Sequence, residues 1–153
     1  MSGLHQSLIS VFSEYILRSE KDIQDLITLI NDVPRYTNDV LEYTKKQADK
    51  NTLQFDYDSV IQDIQDVINN KENSSITSAL YNAIDALNLD EEKTTSYKAQ
   101  VKEAMDISFF LSYQAMLDPL TSLQSKVQPL QGLSNYKNGK KYLSLIHISE
   151  PTR

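Results

Sequence analysis

The chain has 153 residues, 40% of them hydrophobic, with no cysteine and three glycines; 15 Lys+Arg against 21 Asp+Glu leave a formal net charge of −6. That length is one ordinary domain, long enough to bury a core. The acidic balance excludes general nucleic-acid binding, which needs a dense positive field, and the missing cysteines exclude disulfides, thiolate metal sites and cysteine nucleophiles.

Between Gly3 and Gly132 lie 128 consecutive residues without glycine. Sheets and tight hairpins usually need glycine for positive φ, and long helices do not. The apolar spacing agrees, running in threes and fours. Leu4, Leu8, Val11, Phe12, Tyr15 and Ile16, then Ile23, Leu26, Ile27 and Ile30, form one helical stripe with a polar gap at Ser19 and Glu20. Ser2 is the expected N-cap. Pro34 is expected to end or restart the helix, because proline pushes Val33 away from α geometry. A weaker stripe follows at Tyr36, Val40, Tyr43, Thr44 and Gln47, with Leu41 beside it.

Asp56 is placed to cap a new amphipathic helix with Val60, Ile61, Ile64, Val67 and Ile68 on one face. Residues 69–75 read as a polar linker, with Ser75 capping a short helix through Ile76, Ala79, Leu80, Ala83, Ile84 and Leu87. Asp90 caps a long helix, and Glu91 and Glu92 complement its N-terminal partial charge. That helix carries Tyr97, Val101, Ala104, Met105, Phe109, Ser112, Tyr113, Met116 and Leu117. Its second half is apolar nearly all round, which predicts the most buried element. Pro119 is expected to start a final short helix over residues 120–127, closed by Pro129. Asn138-Gly139 suits a two-residue hairpin turn within residues 136–142. The stripes do not keep a strict heptad, so the pattern predicts an all-α, up-and-down bundle of five or six helices.

Chemistry-bearing constellations are few. His5 is the one histidine before His147, so histidine triads and histidine-rich metal sites fail at the start. No glycine-rich phosphate loop and no Glu-x-x-His pair occurs. Asp56 and Asp58 have alternate calcium-ligand spacing, but Val60, Ile61 and the missing glycine break the loop pattern. Helix capping is the expected role there, and no catalytic, cofactor-binding or metal-ligating residue is assigned. Nine tyrosines outnumber four phenylalanines. Their stripe positions predict rings at the core boundary with wet hydroxyls, and a tyrosine-rich face also suits a protein partner. No stretch approaches the roughly 20 apolar residues of a membrane span. The N-terminus lacks the basic region of a signal peptide, so the expected location is cytoplasmic by default, or exported if a signal peptide precedes Met1.

Gln47-Ala48-Asp49, then Phe55-Asp56-Tyr57 and apolar residues at helical spacing to Asp63 and Ile64, resemble the small periplasmic RAQPRD proteins of bacterial integrative conjugative elements. The motif that names that family is absent, and no functional residue is carried over. The resemblance implies an accessory component of a conjugation or secretion apparatus. Residues 143–153, LSLIHISEPTR, resemble the conceptual translation of a transposase-delivered sequencing adapter. This implies a bundle domain over 1–131, a truncated loop or hairpin over 132–142, and a non-native tail over 143–153. Removing the tail takes away one acid, Glu150, and one base, Arg153, so the net charge stands. The leading expectation is a non-enzymatic interaction, scaffold or adaptor module with a protein partner. The alternatives are the envelope component and the helical N-terminal region of a larger protein.

Overall fold

The computed structural model describes residues 4–129 together with 138, 140, 141 and 144, and of residues 4–6 the backbone alone. The chain is an all-α, up-and-down bundle of five helical rods: α1 (Leu4–Ser13), α2 (Glu20–Asp49), α3 (Tyr57–Asn69), α4 (Ser75–Asp85) and a fifth made of α5 (Glu91–Ala104) and α6 (Leu111–Ser122). A π-helical segment, Met105–Phe110, joins α5 to α6 without a break.

Short polar side chains start the rods. Ser19, Asp56, Ser74 and Asp90 each accept from a backbone N–H three residues on and satisfy a donor that lacks an intrahelical partner. Asp56 and Asp90 were expected in this role, whereas the third cap is Ser74 and not Ser75. The polar gap at Ser19 and Glu20 proves to be a true break, since α1 stops at Ser13 and Ser19 caps α2. The proposed cap Ser2 lies outside the described residues.

Two prolines correct the expected boundaries. Pro34 sits inside α2, which runs unbroken for 30 residues. A mid-helix proline removes one hydrogen bond and crowds the preceding turn, at roughly 3 kcal/mol. The burial of Ile23, Leu26, Ile30, Val33, Thr37 and Leu41 along one continuous face offsets it. Continuity also changes the phase of the second stripe. Leu41 and Ala48 are buried, whereas Tyr43 is 61% exposed. Pro119 likewise lies within α6, and residues 120–127 are not a separate helix. After Ser122 only a 3-10 turn, Gln124–Lys126, remains before Val127 becomes extended.

Glycine's turn role falls to asparagine. Asn51 and Asn88 take positive φ, 53° and 52°, which asparagine tolerates better than most residues. At the end of α2, Thr52 N–H donates to the Gln47 carbonyl and Asn51 N–H to that of Ala48. This is the paired closure of a Schellman motif with asparagine in the left-handed position. Further on, Asn138 lies in a turn, but Lys140 and Lys141 are helical where a hairpin strand was expected. The rest of that expected hairpin lies outside the described residues.

Side-chain bonds trace the topology. The Tyr97 hydroxyl donates to Glu20, the Ser108 hydroxyl to Asn31 and the Lys126 ammonium to Asp49, each pair 77 residues apart. A constant offset means that α2 and the α5–α6 rod run parallel and rise together. Against α6, α3 runs the opposite way, since Val60 and Ile64 share a hollow with Met116 and Leu120 while Lys71 meets Asp106. Next, α4 continues that return stroke along α5, where Lys98 pairs with Asp85 at 2.7 Å. The first helix, α1, packs on α4, and its Phe12 presents an edge to Phe109, ring centroids 5.8 Å apart.

The main core is a cluster drawn from every rod. Ile64 is 1% and Phe109 0% exposed, in keeping with their apolar flanks. Phe109 also stacks on Tyr113 at 4.7 Å and meets Phe110 edge-on at 5.4 Å. The fifth rod is central, as expected, but not buried all round. Ile107 and Leu111 stand 58% and 53% exposed. The π segment explains this, because its wider turn shifts the buried face by about one residue. Val101, Ala104 and Ser108 are buried before the shift, and Ser112, Tyr113, Met116 and Leu120 after it. Two stripes of different phase together read as apolar on every side.

Candidate functional site

An apolar hollow lies at the end of the bundle where α2 finishes and α3 begins. Val40, Leu41, Thr44 and Gln47 of α2 form one wall, and Leu53, Gln54 and Phe55 of the connecting loop close the end. Val60 and Ile64 of α3 form the other wall, with Met116 and Leu120 of α6 completing the lining. Its volume is about 200 Å³. That is below the range of most small-molecule pockets, roughly 300–1,000 Å³, and suits one or two apolar side chains.

The local sequence builds each wall. On α2, Leu41 faces the core while Val40 and Gln47 turn toward the hollow, so a face adjacent to the core stripe stays half-buried. The Schellman closure at Asn51 directs the chain into Leu53, which packs with Ala48 and Leu123 in a second small apolar cluster. Gln128 N–H then donates to the Leu53 carbonyl at 2.8 Å and ties the chain after α6 to this loop. Asp56 starts α3 beside Phe55. The Thr44 hydroxyl donates to the Val40 carbonyl of its own helix at 2.8 Å, so the wall offers little polar demand. The lining contains no charged side chain.

A second hollow, about 510 Å³, is polar and lies at the opposite end, between α2 and α5. It is lined by Gln24, Asp90, Glu92, Lys93, Ser96, Tyr97 and Gln100. Its groups serve the bundle. Lys93 donates to Glu20 Oε1 and the Tyr97 hydroxyl to Oε2, both at 2.8 Å. The Lys93 hydrogen bond first and that of Tyr97 second hold the Glu20 carboxyl below its ordinary range. The same bond to Glu20, followed by burial, raises the Tyr97 hydroxyl. Asp90 is occupied in capping α5.

Asp56 serves the start of α3. Asp56 accepts the Ser59 N–H at 3.2 Å and the Ser59 hydroxyl at 2.8 Å, which is the geometry of a cap. Asp58 is exposed in the first turn of α3. Among the described residues no group of three or more His, Asp or Glu side chains is placed to hold a metal. The side chain of His5 and all of His147 lie outside the described residues.

The described tyrosines divide into three kinds: exposed Tyr43, fully buried Tyr113 and five half-buried at the core boundary. Tyr15, Tyr36, Tyr57, Tyr81 and Tyr97 are half-buried, as boundary packing requires. Tyr113 departs from that expectation. It is fully buried against Phe109, and burial pushes its hydroxyl well above the ordinary tyrosine value. At the π segment burial pushes the Asp106 carboxyl up, but hydrogen bonds from Lys102 and Lys71 outweigh it and leave it lowered. Lys71 also sits over the Phe110 ring, 5.8 Å from its centroid.

The sequence reading assigned no site residue at the apolar hollow. The signal was the Tyr36–Val40–Tyr43–Gln47 spacing, a second apolar face on a helix that already has one. No described helix is long and apolar enough to cross a membrane. Compared with protein-family models, with curated proteins and with solved structures, the chain matches none.

Proposed function

We propose that the chain is a helical interaction module that works without chemistry of its own, and that the hollow between α2 and α3 receives a protein partner. The observation that carries this reading is the uncharged lining over Val40, Val60, Met116 and Leu120. An apolar slot between helices accepts side chains projecting from a partner's helix without leaving a buried charge unpaired. Its volume matches one or two anchoring side chains, and such anchors carry most of an interface's affinity. In this reading the scaffold or adaptor role resides in rigid presentation of that slot.

The test places a photo-crosslinking residue at Gln47, in the slot, or at exposed Thr95 of α5, in cells of the source organism. A product formed from position 47, absent from position 95 and lost in Val60→Lys is expected. Circular dichroism of Val60→Lys verifies that the bundle still folds. Equal products from both positions, or products that survive Val60→Lys, overturn the reading.

A second reading places the module in a conjugation or secretion apparatus of the cell envelope. It is favoured by the position of the stretch that resembles RAQPRD proteins. Gln47, Leu53, Gln54, Phe55, Val60 and Ile64, six of the eleven residues lining the slot, fall within it. Recovery of the native protein in the periplasmic fraction supports this reading, and recovery in the cytosol alone refutes it.

A further inference from the structure

We draw no further inference here: the strongest candidate, the exposed apolar pair Ile107 and Leu111 on the outer face of the π segment and α6, is an unpartnered surface, and nothing in the structure shows what covers it.

Discussion

Replacing Phe109 tests the packing at the centre of the bundle. The ring is fully buried and touches three other rings, edge-on to Phe12 and Phe110 and stacked on Tyr113. Truncating a buried Phe to Ala costs roughly 3–5 kcal/mol through lost transfer energy and the residual cavity. Each aromatic pair adds about 0.5–1.5 kcal/mol beyond area, not additively, so Phe109→Ala belongs at the upper end. That approaches the whole stability of many domains, roughly 5–15 kcal/mol. Phe109→Leu is the gentler probe, keeping much of the volume and losing the ring contacts, at about 1.5–2 kcal/mol. Ile107→Ala, two residues away on the exposed side, is the control and should stay within about 0.5 kcal/mol, the usual range for surface changes. Urea unfolding followed by circular dichroism gives both values, provided that the slope stays constant. If Phe109→Leu costs no more than Ile107→Ala, the assignment of the buried face across the π segment is wrong.

Four further outcomes are expected. Pro34→Ala restores a backbone donor within α2 and should raise stability by about 1 kcal/mol or more; a loss would mean that proline shapes α2 in a way its packing needs. Because the Glu20 carboxyl is held low, its contribution is present above the ordinary value near 4.5 and disappears as pH falls through the folded value. Glu20→Gln should therefore flatten part of the acid limb of the stability profile, and an unchanged limb would show that the Lys93 and Tyr97 bonds do not persist in solution. Millimolar calcium should leave the thermal transition unmoved, while a rise that vanishes in Asp56→Asn, which keeps a capping side chain, would make the start of α3 a metal site. Deleting residues 143–153 should leave the melting temperature nearly unchanged, and a substantial drop would count against reading that tail as an adapter translation.

Local chemistry was the legible part of the fold. Asp56 and Asp90 announced their helices because a cap depends on a residue and its neighbours three positions on. Ile64 and Phe109 announced their burial because their apolar flanks keep helical spacing. The misread elements depend on distant surfaces. Pro34 and Pro119 carry local signals to stop a helix, yet packing along a whole rod outweighs each of them. A π segment leaves no residue signature of its own. Its trace is the slip between the stripe ending at Ser108 and the one containing Tyr113 and Met116. Read with a single period, that slip looks like a helix apolar on all sides. The slot was hidden for a related reason. Tyr36, Val40, Tyr43 and Gln47 form a regular stripe, and periodicity cannot tell a core face from one that borders an opening. Asn51 was missed because glycine was taken as the sign of a left-handed turn.

The matched offset between α2 and the fifth rod has a mechanical meaning. Bonds at Glu20 and Asn31 brace the two rods near the bottom and the middle, and Asp49 ties the top of α2 to Lys126 in the 3-10 turn beyond α6. Sliding one rod past the other by a single turn, about 5.4 Å, breaks all three together. The pair therefore behaves as one stiff strut, although the braces at either end are exposed and individually weak. By contrast, α3 is a short piece set between the loop after α2 and the 3-10 turn Lys71–Asn73. Just beyond its far end the Lys71 ammonium reaches across to Asp106 on the π segment.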